Sequence, residues 1–475
     1  VSNGPQALLV AGSIAFVSAC ATDARTDLGA DSRSAFQPSF IAGLRDDAGH
    51  FMGGTELRII MAHRGALYAG NGYWEDRHGP EGPQGPEILV LDGPNARWRV
   101  EREFNERQPN GQLRDLAISA LADVTFATDA AGARLPTPVS MLITSTWDLT
   151  GATRVFTRDD TNGTWVATTL AQDRPLPDFL PQVRSFGAHR DRETGVDHVF
   201  AGQDPRGIFR GRYDATAAGR IGWDATPELD ISLIATTAFP GLAGRLRVSS
   251  FAECNGRLYA AVGQQIYQRI DGTKPRWRLV YTNPHPAHSE TGLRGLTAVA
   301  NQNGSQTLLA AIEGANARII QVDPEAGSEL TELDLADFLG KAWQTRVGYV
   351  IAAYNDMTML HDPQHGDVLL LGLEAFLPPQ LPAPSGHGVV DIGYGRVDAG
   401  AWYLVRHPDR HYDLRRVAAP DIRQPLVATR TIVASPFTND AGALYFGGYD
   451  ANKAPAHNTA WIVRGTAAEA IGSSR

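Results

Sequence analysis

At 475 residues the chain is longer than one hydrophobic core usually organises, so it holds either several domains or one repetitive domain with a distributed core. A net charge of −9, with no basic run, excludes a broad nucleic-acid face, which needs concentrated positive charge against phosphates. Two cysteines, Cys20 and Cys254, are too few for a disulfide scaffold or a thiolate metal cluster, and leave one bridge open.

The first element, ALLVAGSIAFVSAC over 7–20, has the length and small-residue ending of a signal-peptide apolar region, and VSAC resembles a bacterial lipoprotein cleavage box. No Lys or Arg precedes it, which favours an ordered N-terminal strand. The first reading places the protein in the periplasm, on a lipid anchor or outside the cell; the second leaves it cytoplasmic. No other apolar run is long enough to span a bilayer. Residues 1–44 are therefore an N-terminal segment, and 45–475, which no linker or charge block divides, a single domain.

From there the chain shows almost no helical periodicity; short apolar strands alternate with Gly, Asp, Asn and Pro. Seven strands open on an arginine: TELRIIMA, QLRDLAIS, QVRSFGAH, RLRVSSFA, GLRGLTAV, TRVGYVIA and ATRTIVAS. Each precedes a second strand that ends in small residues: ALYAG, SMLIT, HVFAG, RLYAA, TLLAA, VLLLG and ALYFG. A third strand follows, such as EILVLD or TAWIVRG, and often a fourth with Trp or Tyr, such as RWRLV. The last unit has only AAEAI as a fourth strand, so a strand from within residues 5–43 is expected to close it.

Four antiparallel strands repeated seven times resemble the seven-bladed β-propeller superfamily over roughly residues 45–470. The resemblance implies an all-β fold of four-stranded antiparallel blades. It implies no activity, because no repeated WD dipeptide at blade ends, kelch double-glycine pattern or repeated Asp-box accompanies it.

In such a fold the inner strand begins and the second strand ends on one face. Arg58, Arg114, Arg184, Arg247, Arg294, Arg346 and Arg430 are therefore expected to circle one axial opening. Neighbouring guanidiniums ~10 Å apart repel by roughly 1.7 kcal/mol at an effective dielectric of about 20, so the ring needs neutralising. Acids follow the small-residue motif in one register, pairing Arg184 with Asp204, Arg294 with Glu313, Arg346 with Glu374 and Arg430 with Asp450. Arg247 has Gln264 and Gln265 where its acid should stand, and the acids nearest Arg58 and Arg114 (Glu75 or Asp76, and Asp148) lie out of register. Two functions follow. Either the arginines line a pocket that binds, and hydrolyses or cleaves, a small anionic or glycan-like ligand, or the ring is structural and the propeller a platform for protein contacts.

Other candidates share the face. His288 and Glu290, with His285 in NPHPAHSETG, stand beside Arg294 as a catalytic acid–base pair. Tyr73 and Trp74 in the long insert 71–87, and His387 and Tyr394 in 373–400, could stack on a ring or sugar, with Lys453 and His457 nearby. His63 and His189 share a register five residues after their arginines, and His361 and His365 come later. No metal-ligand motif appears, so no metal residue is assigned, although an axial metal stays open. No organic-cofactor motif appears either, which points any enzyme reading to a hydrolase or lyase. The partner expected is a small anion or glycan, with no nucleic acid and no membrane span.

Overall fold

A computed structural model describes residues 25–26 and 36–472, apart from 75, 176–180, 238–245, 285–291, 302, 363–365, 379–388, 392–395, 399, 420–421, 423–425 and 451–456. The protein is all-β and propeller-like: antiparallel meanders follow one another along the chain. The first runs through Glu56–His63, Ala66–Gly72, Glu87–Leu91 and Arg99–Glu103. The next, Asp115–Thr128 to Thr164–Gln172, joins it in one sheet through a single Ala117 to Gly72 pairing. Separate sheets follow over 182–223, 248–282 and 293–334. Among the described residues no helix is long and apolar enough to cross a membrane.

The core is distributed between successive meanders. Ile59 and Ile88 pack with Ile118 and Leu142 of the next meander, and Leu309 and Ile319 with Leu369 and Leu404. The last meander packs on the first, because Tyr445 and Ile462 share a cluster with Leu57 and Leu89. This explains the small residues that end each second strand. A Cβ on Gly70 would lie 2.6 Å from Ile118, one on Gly202 2.6 Å from Val248, and one on Gly372 2.3 Å from the Thr429 carbonyl. Each is a point where the next meander's inner strand crosses too closely for a side chain.

The closing strand comes from the N-terminal end. Gln37–Ile41 lies antiparallel to Ala460–Thr466, beside Ala443–Asp450 and Leu426–Ala434. AAEAI is not a strand: Ala467–Ile471 is a short helix whose capping box joins Thr466 and Glu469. The segment 7–20 lies outside the described residues.

A second departure precedes Arg346. Leu335–Trp343 is a helix, capped by the Asp334 carboxylate and burying Leu335, Phe338, Leu339 and Trp343, the spacing of one helical face. Its chain leaves through Gln344 at φ 50, so Arg346 falls in the turn before the strand and is exposed. The inner strand here is split: Tyr349–Ala352 and Thr358–Asp362 both pair with Gly366–Leu377, and residues 353–357 bulge out between them.

Candidate functional site

Three of the arginines stand at β-bulges of their inner strands. Leu57 and Ile59 pair with Asn71 and Gly70, so Arg58 is an extra residue in the ladder. Arg184 is likewise extra between Val183 and Ser185, and Arg430 between Thr429 and Thr431. A β-bulge of this kind bends the strand and re-aims the inserted side chain. In the split sheet the equivalent place, where the Ala353 N–H meets the Gly372 carbonyl, belongs to Tyr354.

Tyr354 is the hub of the cluster. The guanidinium carbons of Arg430, Arg294 and Arg58 lie 4.1, 4.7 and 5.7 Å from its ring centroid, within cation–π range. Arg58 Nη2 donates to its hydroxyl at 3.1 Å, and Arg294 Nη1 to its carbonyl at 3.2 Å. Asn355 Nδ2 donates to the Arg58 carbonyl at 2.6 Å and ties the bulged loop to the first meander. Burial pushes the phenol pKa up, as does Glu56, but Arg58, Arg184 and Arg430 outweigh both and bring it down to about 8. Its neighbour Asp356 is exposed, yet lost hydration pushes its carboxyl pKa up.

Carboxylates interleave with the guanidiniums. Arg58 Nη1 donates to Glu56 at 3.0 Å, both side chains buried, and Arg184 Nε to Asp204 at 3.4 Å. Arg294 pairs with Glu313, which also accepts from the Tyr349 hydroxyl at 2.6 Å. Arg430 lies 2.8 Å from Glu374 and 3.4 Å from Glu56, and Tyr449 donates to Glu374. Burial raises the Asp204 carboxyl, partly offset by Arg184, Arg247 and the Val248 N–H, leaving it at about 6. Burial lowers Arg247 to about 10, with Arg184 and Arg294 adding repulsion and Asp204 and Glu313 opposing it.

One expected pairing is thereby corrected. Glu374 meets Arg430 and not Arg346, because the helix displaces Arg346 from the inner strand. Arg430 meets Glu374 of the strand Gly366–Leu377 and Glu56 of the first meander; Asp450 ends its strand opposite Leu426, and its side chain lies outside the description. Arg114 does engage Asp148 at 2.7 Å, where Arg154 also sits at 3.1 Å, with Arg154 forked onto Asp115 at 2.7 and 2.8 Å. Asp204 and Glu313, acids of the sheets on either side in the chain, both act electrostatically on Arg247. Gln264 instead accepts from Asn283 at 2.8 Å.

Tyr73 is fully buried and its hydroxyl donates to Glu87 at 2.8 Å; Trp74 is half-buried. His457 meets Asp76 at 2.9 Å, linking the last meander to the insert of the first. His285, His288, Glu290, His365, His387, Tyr394 and Lys453 lie outside the described residues, as does Glu75. His361 is exposed beside Asp367.

His63 and His189 are clamped between acids. His63 lies 3.4 Å from Asp123 and 3.1 Å from Asp160, and His189 contacts Glu253 and, at 3.1 Å, Asp271. Burial lowers both imidazole pKa values, but the paired carboxylates prevail and the net shift is upward. Among the described residues no group of three or more His, Cys, Asp or Glu gathers as a metal site. Cys254 is buried, which with Asp323 and Glu325 pushes its thiol up to about 11 and makes it unreactive.

Tyr354 and Glu56 were not among the residues singled out from sequence. Glu56 is visible as the acid two residues before Arg58 in TELR. Tyr354 becomes visible by counting back from the hairpin before VLLLG, a rule that depends on register and not on residue type.

No protein-family model and no curated protein matches the chain. Among solved structures it is similar to a Niastella koreensis GH74 enzyme at 13% identity and a TM-score of 0.43, covering 90% of this chain and 55% of that one. It is similar to the α-L-arabinofuranosidase Arb93A of Fusarium graminearum at 10% identity and 0.39, covering 92% and 98%. It is also similar to the Trypanosoma rangeli sialidase at 10% and 0.38, covering 90% and 57%. The chain thus spans little more than half the length of the first and third.

Proposed function

We propose that the meanders are the seven four-stranded blades of a single propeller domain over about residues 45–475, closed by strand Gln37–Ile41. Its arginine-bearing face binds a small anionic or glycan-like ligand. One observation carries this reading: Arg58, Arg294 and Arg430 converge on Tyr354, a half-buried side chain that solvent still reaches. A guanidinium matches an oxyanion through a planar fork of donors, and partial burial strengthens such bonds.

The second reading, a structural ring on an interaction platform, draws on the carboxylates already beside Arg58, Arg184, Arg294 and Arg430. Titration calorimetry with glucuronate, sulfate and neutral glucose separates the two. The pocket reading expects saturable binding of at least one oxyanion, weakened at least tenfold by Arg58→Gln. No binding of either oxyanion, with Arg58→Gln merely less stable, favours the structural ring.

A further inference from the structure

Three tyrosines stand among these guanidiniums, and Tyr354 differs from the other two. The hydroxyls of Tyr349 and Tyr449 donate to Glu313 and Glu374, so an acid holds each proton. The Tyr354 hydroxyl accepts from Arg58 Nη2 at 3.1 Å, and a guanidinium offers no acceptor in return. Among the described residues none accepts the proton of Tyr354, and its side chain is half-buried, so that proton is open to exchange with a ligand.

The surroundings stabilise the phenolate. Arg430 and Arg294 lie against the ring, Arg58 meets the oxygen, and Arg184 adds its charge; burial and Glu56 oppose them. The acids paired with these guanidiniums, Glu56, Asp204, Glu313 and Glu374, are all buried. Asp356 is exposed on the same loop, but its shift comes from burial, with no guanidinium contributing. The placement of the phenol is held by an uncommon backbone. Ala353 sits in the left-handed region at φ 48, packed against Gly295, where a Cβ would lie 2.5 Å from it. Such strain in a non-glycine residue gathers at functional sites.

From this geometry we propose that Tyr354 is a catalytic base, and that the protein is a lyase that cleaves uronate glycans by β-elimination. This rests on the anion-binding reading above, because a guanidinium must first take the carboxylate of the substrate. With that charge neutralised, the proton on the carbon bearing the carboxylate becomes acidic, and the phenolate removes it. The C–H electron pair passes through the enolate of the carboxylate into a double bond to the next ring carbon, whose bond to the glycosidic oxygen breaks. The departing oxygen takes the proton back from the Tyr354 phenol, which regenerates the phenolate. No water or oxidant is consumed. The guanidiniums stabilise the negative charge on phenolate and enolate alike.

The test incubates the full chain with polygalacturonate, alginate and hyaluronan, with amylose as the neutral control, and follows the ultraviolet absorbance of the unsaturated uronate product. At least one uronate polymer should be cleaved, about tenfold faster at pH 9 than at pH 7 for a base titrating near about 8. Tyr354→Phe should lose at least about 100-fold in rate while calorimetry shows polymer binding within about threefold of wild type, and Asp356→Asn should keep its rate within about threefold. Cleavage lost in Asp356→Asn and kept in Tyr354→Phe makes Asp356 the base and overturns the assignment. A wild-type rate that does not rise between pH 7 and pH 9 overturns it without any variant. New reducing ends without the unsaturated product show hydrolysis, and the elimination falls. If glucuronate, sulfate or a uronate polymer binds and no polymer is cleaved, this inference falls and the anion site stands. If none of them binds, both fall.

Discussion

Replacing Arg247 by Gln should have an effect opposite in sign to replacing Arg294. Burial and two neighbouring guanidiniums lower the Arg247 pKa to about 10, so its charge is less favourable in the folded protein than in the unfolded chain. A drop of that size corresponds to at most about 3 kcal/mol, and partial solvent access to the side chain reduces it. Lost packing and the weaker hold on Asp204 and Glu313 offset part of the gain. Arg247→Gln is therefore expected to lie between neutral and about 2 kcal/mol stabilising. Arg294 is buried against the equally buried Glu313. Its removal takes away the cation that pairs directly with the buried Glu313, which costs about 3–5 kcal/mol. Urea denaturation of both variants at pH 7 reads the difference directly. If Arg247→Gln falls as far as Arg294→Gln, burial and the neighbouring guanidiniums do not disfavour the Arg247 charge and the reasoning fails.

Three further outcomes follow from the packing and the clamped histidines. Gly202→Ala should cost about 1–3 kcal/mol by thermal melt, because the new methyl meets Val248 at 2.6 Å; adding Val248→Ala should recover much of the loss, and additivity would show that the two do not touch. His63 and His189 have folded pKa values raised above the unfolded value of about 6.5. Their stabilisation is complete below that pH and is lost as pH rises through the folded values; His63→Gln and His189→Gln should each flatten the fall in melting temperature on the alkaline side. His198 has the opposite sign, since burial, with Arg269 and Arg210, lowers it to about 3. Acid below about 6.5 should cost stability that His198→Phe retains.

How far the sequence reaches depends on the kind of interaction. The meanders were legible because period-2 alternation, hairpin turns and small-residue strand ends are local signals, and Gly70, Gly202 and Gly372 show why the last of these recurs. The arginines were legible as residue types, but their partners were not. Arg430 reaches Glu56 of the first meander and Glu374 of the strand Gly366–Leu377, and nothing in its own unit announces that. Arg346 misled because it stands three residues beyond a nine-residue helix whose 3–4 spacing is short enough to hide among strands. Tyr354 was hidden for the converse reason. It occupies an arginine's place through a break in the strand, and strand breaks are set by tertiary register.

A crystal structure of the protein soaked in glucuronate tests the central claim most directly. The account predicts carboxylate density within hydrogen-bond distance of Arg58 and the Tyr354 hydroxyl, with glucose giving none. Guanidiniums that contact only Glu56, Asp204, Glu313 and Glu374 at saturating glucuronate, with no ligand density beside Tyr354, would contradict it.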